Sequence, residues 1–220
     1  MHVQTVEAGD WWARSRGETS ANWIANYQKS LTARHRDRIA AIIAALQPET
    51  LLEVGCHCGP NLVRLATECP TLAMIGIDAN REAITAGRTW VASRGLAERI
   101  QLNVGRVPEQ TQALPSGAFD VVLSCYALAY IAPQDLDAVL YDMGRLAAKA
   151  VILAEPMTEG DQSQWHGTIA GYQEWAHNYR HASRWLKTWQ GMTIRSEAVT
   201  PPVDRLRGVL VAVRDGANTR

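Results

Sequence analysis

The residues best suited to bind a ligand lie in one short loop. Positions 53–61 read Glu-Val-Gly-Cys-His-Cys-Gly-Pro-Asn and follow an apolar run, so they predict a strand that ends in a glycine turn and opens a helix. Glycine lets the backbone approach a ligand closely, and Pro60 suits the first position of a helix. Because a helix N-terminus favours negative charge, the loop predicts a binding site for an anionic or strongly polar group.

Two acidic residues accompany this loop. Glu53 lies on an otherwise apolar strand, where burying an unpaired carboxylate is costly, so it either meets a ligand or accepts hydrogen bonds from nearby backbone amides. Asp78 ends the next apolar run, 23 positions after Gly55. An acid at about this offset accepts hydrogen bonds from ribose hydroxyls, although Asp78 also suits the cap of a helix beginning near Asn80.

Two common nucleotide motifs are absent. A dinucleotide fingerprint that starts at Gly55 requires glycines where the chain has His57 and Pro60. A Walker loop requires Lys followed by Ser or Thr after spaced glycines, and no such pair occurs at that spacing. The sequence therefore argues against nicotinamide dinucleotides and nucleoside triphosphates as ligands.

With these features the chain resembles the class I S-adenosylmethionine-dependent methyltransferases. Their first motif is an acidic residue followed by x-G-x-G-x-G, and Glu53, Gly55 and Gly59 match it in the same strand-turn-helix context. His57 replaces the middle glycine, and we expect it in the left-handed backbone region, where His is enriched among non-glycine residues. The resemblance implies S-adenosyl-L-methionine as the cofactor.

The resemblance covers roughly residues 51–156 and the terminal strand pair. In the family an acid after the third strand meets the adenine amino group, but this chain has Arg106 there, which cannot accept a hydrogen bond. Adenine would then be recognised by backbone groups or apolar contacts. By position in the motifs, the resemblance implies that the cofactor is bound by Glu53, Gly55, Cys56, His57, Gly59, Asn61, Asp78, Ala79, Arg106, Val107, Ser124 and Cys125.

The fourth apolar run also carries information about the substrate. It ends in Ser124 and Cys125 and resembles the fourth motif of small-molecule methyltransferases, whereas DNA- and protein-modifying members usually carry a [DNS]-P-P-[YFW] box there. We therefore expect a small-molecule methyl acceptor. Magnesium-dependent chemistry would need carboxylates after this strand, and the four cysteines form no C-x-x-C pair, so we predict no metal.

The elements that must position these residues alternate between short apolar runs and helical patterns, which is typical of βαβ units and a parallel sheet. The pattern predicts an α/β fold with a doubly wound, seven-stranded, mostly parallel sheet and an antiparallel C-terminal strand pair, the Rossmann-like fold of the family. The predicted strands are 51–54, 73–78, 100–105, 120–125, 150–155, 193–199 and 208–214.

We predict a single domain over residues 1–220 with four segments. These are an N-terminal helical cap (1–47), a cofactor-binding core (48–156), a Trp-rich substrate or lid segment (157–190) and a C-terminal strand pair (191–220). The charged run at 34–38 in the cap is interpreted as a solvated helix face.

The Trp-rich segment supplies candidates for the acceptor side. Residues 165, 169, 172, 176 and 179 follow steps of four and three, which predicts one face of a helix. Because aromatic side chains supply large contact areas and faces that can lie against a sulfonium or a cationic acceptor, we assign substrate binding to Tyr126, Tyr130, Trp165 and Tyr172. His166 is the candidate general base because its ordinary pKa suits proton removal at neutral pH, although a structural role explains it equally well.

Composition narrows the range of partners. Lys plus Arg number 22 and Asp plus Glu number 22, so no net field favours a polyanion and we expect no bulk nucleic-acid binding. No apolar run approaches the roughly 20 residues that span a membrane. We expect a cytoplasmic protein without membrane association, and the sequence leaves the oligomeric state open.

The sequence thus predicts a methyltransferase that uses S-adenosylmethionine to modify a small molecule. Two alternatives from other classes stay open. One is a nicotinamide-dependent oxidoreductase on a similar sheet, which the broken glycine fingerprint disfavours. The other is a non-catalytic S-adenosylmethionine-binding or regulatory module, which His57 and Arg106 motivate because they depart from the family pattern.

Overall fold

The structure is a computed structural model that describes residues 17–158, 164–169, 172–179, 189, 191–203 and 206–217. Five α-helices lie in these ranges: α1 Gly17–Lys29, α2 Arg34–Ala45, α3 Pro60–Glu68, α4 Arg81–Ser93 and α5 Pro133–Leu146. Short 3-10 turns span Ser30–Thr32 and Leu128–Tyr130. The strands are β1 Thr50–Val54, β2 Ala73–Asp78, β3 Ile100–Val104, β4 Phe119–Cys125, β5 Ala147–Ala154, β6 Gln164–Ile169, β7 Tyr172–Ala176, β8 Met192–Val203 and β9 Leu206–Arg214.

Seven of these strands form one sheet in the order β3-β2-β1-β4-β5-β9-β8. Strands β1 to β5 pair in parallel, and β9 is antiparallel to both β5 and β8. The predicted fold class is therefore confirmed. The strand order reverses between β1 and β4, and the crevice at such a switch point is where open α/β sheets bind ligands.

Alternate side chains of the central strands pack on opposite faces of the sheet. Leu51 belongs to an apolar cluster with α2, α3 and α4, whereas Leu52 belongs to a second cluster with α5. Both leucines are fully buried. This explains why the central strands are nearly continuous apolar runs, since strands covered on both faces have no solvent side.

The structure has strands where the sequence predicted a helix. Residues 164–169 and 172–176 form the antiparallel pair β6 and β7 (the hairpin), in which Trp165 lies opposite Trp175 and Ile169 lies opposite Tyr172. The spacing of bulky residues was compatible with a helix face, but aromatic and β-branched residues also favour strands, and here two short segments satisfy their backbone groups by pairing. The side chains of Trp165, His166 and Tyr172 lie outside the described residues.

Local sequence explains where the helices near the sheet edge begin. Gly59 adopts the left-handed conformation directly before α3, and Pro60 takes the first helical position. Asn80 caps α4 by accepting a hydrogen bond from the N–H of Ala83 at 2.9 Å. Among the described residues, no helix has both the length and the apolar content to cross a membrane.

Candidate functional site

A cleft of about 930 Å³ opens at the carboxyl ends of β1 to β4. Residues of α1, α2 and β7 complete its walls. Twelve of the residues predicted from the sequence line it: Glu53, Gly55, Cys56, His57, Asn61, Asp78, Ala79, Arg106, Val107, Cys125, Tyr126 and Tyr130. Gly59 and Ser124 are buried and do not line the cleft.

The loop after β1 has the backbone shape expected from its glycines. Gly55, His57 and Gly59 have φ values of 73°, 49° and 82°. The left-handed conformation expected for His57 is therefore present. A Cβ added at Gly55 would lie 2.1 Å from the Cβ of Ala127, so the loops after β1 and β4 touch where only glycine fits.

Asp78 joins the first two loops. Its Oδ2 accepts the N–H of His57 and its Oδ1 accepts the N–H of Asn80, both at 2.8 Å. Burial raises the pKa of this carboxyl, and the two backbone donors oppose that shift. Asn80, and not Asp78, is the N-cap of α4. Asp78 accepts the backbone N–H of Asn80 at the start of this helix and also lines the cleft.

Glu53 lies at the centre of a buried polar group. It is 1% exposed, and its Oε1 accepts a hydrogen bond from Nδ2 of Asn61 at 2.5 Å. Its Oε2 is buried and has no hydrogen-bond partner among the described residues. Burial raises the pKa of Glu53 to about 7, although Asn61 and Arg36 act in the opposite direction.

Arg36 completes this group and corrects the interpretation of the charged run in α2. Its side chain is 4% exposed rather than solvated. Nη1 donates to Oδ1 of Asn61, Nε donates to the carbonyl of Ser30 at 3.0 Å and Nη2 donates to the Ser30 hydroxyl at 2.9 Å. A periodic signal could have found it, because Arg36 shares a helix face with the buried residues Ile39 and Ile43.

These contacts leave Arg36 and Glu53 without an ion-pair partner among the described residues. The partners of Arg36 are neutral, and among the described residues no carboxylate forms an ion pair with it. Glu53 retains one oxygen without a donor. Buried charges are normally paired, so this part of the cleft suits a ligand that carries a carboxylate and a cationic group close together.

Aromatic rings from α1 cover the same side of the cleft. The ring of Tyr27 lies 4.6 Å from the imidazole of His57 and 5.8 Å from the indole of Trp23, measured between centroids. Burial and Arg36 lower the pKa of His57 to about 4, so the imidazole is neutral at pH 7. The sequence did not identify Trp23 and Tyr27 as site residues because nothing local indicates that α1 packs over the glycine loop.

The cysteines in the cleft are free and protonated. Cys56 and Cys125 line it, and neither takes part in a disulfide. Burial raises the pKa of Cys125 to about 12 and that of Cys56 well above its ordinary value. Among the described residues no cluster of His, Cys, Asp and Glu has the arrangement of a metal site.

Glu155, which sequence reasoning missed, holds the loop after β4. Its carboxylate accepts the hydroxyl of Ser124 at 2.7 Å and the N–H groups of Ala127 at 3.0 Å and Ala129 at 3.3 Å. Burial raises its pKa to about 7. Ser124 therefore acts beneath the cleft, and the loop that it helps to fix carries Tyr126 in a left-handed conformation, with φ 55°.

The side of the cleft that the sequence predicts for the acceptor is lined by residues of the β4 loop, α2 and β7. Tyr126, Tyr130, His35, Glu174 and Trp175 line the cleft there, and the last three were not predicted. The hairpin is anchored on the 3-10 turn at 128–130, because Nε2 of the neighbouring His177 lies 3.1 Å from two backbone carbonyl oxygens, those of residues 128 and 131.

Comparison with known proteins gives a consistent picture. Residues 51–150 match the family described as methyltransferase domain. Catechol O-methyltransferase B of Danio rerio is 29% identical over 87 residues, which are 37% of this chain and 33% of that protein. The chain thus aligns with about a third of the length of this curated relative.

Solved structures show the same fold. An O-methyltransferase family protein of Burkholderia thailandensis superposes with a TM-score of 0.70 at 14% identity, over 91% of this chain and 60% of that one. The 1,6-didemethyltoxoflavin-N1-methyltransferase of the same organism, solved with S-adenosylhomocysteine, superposes with a TM-score of 0.63 at 14% identity, over 89% of this chain and 87% of that one. Magnesium protoporphyrin IX methyltransferase of Synechocystis, solved with S-adenosylmethionine, superposes with a TM-score of 0.61 at 15% identity, over 96% of this chain and 93% of that one.

Proposed function

We propose that the chain is a class I S-adenosylmethionine-dependent methyltransferase that transfers a methyl group from S-adenosylmethionine to a small molecule; the match of residues 51–150 to a methyltransferase domain family and the shared fold support this. The observation that carries the proposal is that two oppositely ionisable side chains, Arg36 and Glu53, lie in the cleft without an ion-pair partner among the described residues. Arg36 lacks an ion-pair partner among the described residues, and Glu53 has one oxygen without a donor. Both lie beside the loop after β1.

The cleft residues suit this cofactor along its length. Its amino acid end carries a carboxylate and an ammonium group, which Arg36 and Glu53 complement in charge. Asp78 lies at the end of β2, where an acid accepts hydrogen bonds from ribose hydroxyls. Ala79 and Val107 offer backbone groups and apolar surface for adenine, in place of the acid that the family carries at Arg106.

When bound, S-adenosylmethionine supplies a methyl group that its positive sulfonium has already activated. The chain then has to hold the cofactor and the acceptor in line and to exclude water. Holding two reactants in the reactive geometry can supply a large part of the rate enhancement. The rings of Trp23 and Tyr27 and the buried contacts of Arg36 serve these tasks on the cofactor side. The cleft residues of α1, α2 and β7 belong to the two segments, 1–47 and 157–190, that the sequence predicts as cap and lid.

A small, flat acceptor fits the other side best. Tyr126, Tyr130 and Trp175 line it with aromatic surface. Trp165 and Tyr172 of the hairpin are assigned to the same pocket from the sequence. His166, also on the hairpin, stays the sequence-based candidate for general base.

Calorimetry with S-adenosylhomocysteine and, separately, NAD tests the proposal. We expect micromolar binding of S-adenosylhomocysteine and no heat with NAD, followed by methyl transfer to members of a metabolite set, detected by mass spectrometry. Binding of NAD without S-adenosylhomocysteine would instead identify an oxidoreductase. Cofactor binding without any transfer to the set would favour a regulatory module.

A further inference from the structure

The wall that β7 contributes to the cleft carries a buried acid. Glu174 is 4% exposed and lines the cleft together with the neighbouring Trp175. In the pairing of β6 with β7, Glu174 lies opposite Gly167, which has no side chain. Cross-strand partners project from the same face, so the hairpin places no side chain directly across from this carboxylate.

The hairpin is held against the loop after β4. Three residues after Glu174, Nε2 of His177 lies 3.1 Å from the carbonyl oxygens of Leu128 and Ile131. These two carbonyls flank Tyr130, which lines the cleft. The anchor therefore brings the strand that carries the acid and the turn that carries Tyr130 to the same side of the cleft.

The charges along the cleft are unevenly distributed. The arginines among its described lining residues, Arg36 and Arg106, belong to α2 and to the loop after β3, where the cofactor is proposed to bind. On the side formed by the β4 loop, the start of α5 and β7, the charged residues are Glu174 and Asp135, the latter exposed at the rim. No lysine or arginine among the described residues lines that side. A ligand on that side therefore meets negative charge.

His35 adds no positive charge to this side. Burial and, to a smaller extent, Arg36 lower its pKa to about 4, while Asp37 acts in the opposite direction. The imidazole is therefore neutral at pH 7 and does not repel a cation. The ring of Tyr126 meets it edge-on, with centroids 6.1 Å apart, and extends the aromatic surface of the same side.

Resting on the methyltransferase function above, we propose that the methyl acceptor is a small aromatic amine whose cationic ammonium group binds to Glu174. A carboxylate shielded from water attracts a cation more strongly than an exposed one. The ring of the acceptor rests against Tyr126, Tyr130 and Trp175, because aromatic faces attract both a second ring and a positive charge. The ammonium group is an anchor and not the accepting atom, since a protonated nitrogen has no lone pair to attack the methyl group.

The main rival partner for this carboxylate is the sulfonium of the cofactor. The sulfur is positive in S-adenosylmethionine and neutral in S-adenosylhomocysteine, so the two ligands distinguish the roles. If Glu174 binds the acceptor, Glu174→Gln should leave the ratio of the two cofactor affinities unchanged. A selective loss of S-adenosylmethionine affinity would overturn the proposal and assign the carboxylate to the sulfonium.

The test of the acceptor class uses the full chain saturated with S-adenosylhomocysteine and three probes of similar shape. These are 2-phenylethylamine, 2-phenylethanol and 3-phenylpropionate, which are positive, neutral and negative at pH 7. The wild type should bind the amine roughly 10- to 150-fold more tightly than the alcohol, the ratio expected from a hydrogen bond between charged groups, and should bind the acid most weakly. Calorimetry measures the three affinities.

Three variants locate the preference. Glu174→Gln keeps the shape of the side chain but removes its charge, so it should lose most of the preference for the amine over the alcohol. Trp175→Leu removes aromatic surface and should weaken both probes while the amine stays preferred. Asp137→Asn changes an exposed carboxylate of α5 that does not line the cleft, and it should retain the wild-type preference.

Transferred nuclear Overhauser effects on the wild type give a second readout that needs no variant. The methylene group beside the nitrogen of 2-phenylethylamine should show contacts to the side-chain protons of Glu174. Contacts of that methylene group elsewhere in the cleft, without any to Glu174, would overturn the proposal.

Several binding results would also overturn it. These are equal binding of amine and alcohol to the wild type, preference for the acid, and absence of amine binding at millimolar concentration. A preference that persists in Glu174→Gln but disappears in Trp175→Leu would likewise reject the role of Glu174 and assign recognition of the cation to the aromatic ring.

Failure of this inference is distinguishable from failure of the proposed function. If the wild type binds no S-adenosylhomocysteine, the methyltransferase proposal itself is wrong. If S-adenosylhomocysteine binds normally to the wild type and to Glu174→Gln while both treat the amine and the alcohol alike, only the assignment of a cationic acceptor is rejected.

Discussion

The backbone N–H of His57 donates to Oδ2 of Asp78 at 2.8 Å, so the turn after β1 is bonded to the carboxylate that ends β2. His57 has the left-handed backbone here, with φ 49°. One carboxylate thereby fixes the shape of the glycine loop and faces the cleft. Changes at Asp78 should consequently affect both loop order and ligand affinity.

Asp78→Ala should weaken S-adenosylhomocysteine binding by about 1.5 to 3 kcal/mol, or roughly 10- to 150-fold, because a charged hydrogen-bond acceptor is lost from a buried site. Calorimetry measures this change. Asn80→Ala is the matched control: it removes the cap of α4 and should cost about 1 kcal/mol of folding stability with little effect on affinity. An unchanged dissociation constant in Asp78→Ala would mean that the ribose is held elsewhere.

Arg36→Met should weaken S-adenosylhomocysteine binding at least tenfold, since hydrogen bonds to charged groups contribute about 1.5 to 3 kcal/mol. Arg36→Lys should fall between Met and the wild type, because an ammonium keeps the charge but loses the planar fork that reaches Ser30 and Asn61 together. Arg34→Met, at an exposed position two residues away, serves as the control and should bind as the wild type does. Equal affinity of Arg36→Met and Arg34→Met would remove Arg36 from the binding site.

Glu53→Gln should change how stability depends on pH in the ligand-free protein. The native pKa of Glu53 is raised from 4.5 to about 7, so between these values the native state binds more protons than the unfolded state. Stability contributed by the protonated form is therefore present below about pH 4.5 and is lost as pH rises toward 7. Raising the pH from 5 to 8 should destabilise the wild type more than Glu53→Gln, by a difference on the order of 3 kcal/mol.

Urea unfolding at the two pH values measures this difference. Glu98→Gln changes an exposed carboxyl and should keep the wild-type dependence on pH. Glu155, whose pKa is also raised to about 7, should leave a residual dependence in Glu53→Gln. A Glu53→Gln protein that loses as much stability as the wild type would show that Glu53 is ionised throughout this range.

The sheet and the first loop were predictable because their determinants are local. Buried parallel strands require continuous apolar runs, and the left-handed positions require glycine or a tolerant residue, which identified Gly55, His57 and Gly59 from the sequence alone. The acid at the end of β2 was found by its spacing from Gly55. Each of these signals lies within one strand and the loop that follows it.

The remaining site residues depend on contacts between distant segments. Arg36 sits in a charged run that is typical of a solvated surface, and although it shares a helix face with Ile39 and Ile43, its contacts with Asn61 and Ser30 are not visible in the sequence. Glu155 ends an apolar strand as Glu53 does, but its partners are amides of the β4 loop that the sequence does not reveal. The hairpin was predicted as a helix because steps of four and three between bulky residues match one face of a helix. The same steps also occur in strands when bulky residues occupy most positions.

Gly87→Ala should destabilise the protein although alanine favours helices over glycine by about 1 kcal/mol. Gly87 lies within α4, and a Cβ there would be 2.7 Å from Cδ1 of Leu102 and 2.8 Å from the backbone oxygen of Cys58. A leucine methyl can rotate away, but the carbonyl of Cys58 cannot move without shifting the loop that carries His57. Overpacking of this kind costs about 1 to 3 kcal/mol, so the steric effect exceeds the gain in helix propensity.

Thermal unfolding and calorimetry together check this expectation. The melting temperature of Gly87→Ala should fall by several degrees, at about 2 to 4 °C per kcal/mol for a chain of this size, and affinity for S-adenosylhomocysteine should fall with it. Ala86→Gly, the neighbouring change in the opposite sense, should also lower the melting temperature through helix propensity but should leave affinity unchanged. A higher melting temperature in Gly87→Ala would show that the loop after β1 can move enough to accommodate the added methyl group on α4. The contact between Gly87 and Cys58 would then have no part in holding His57 against Asp78.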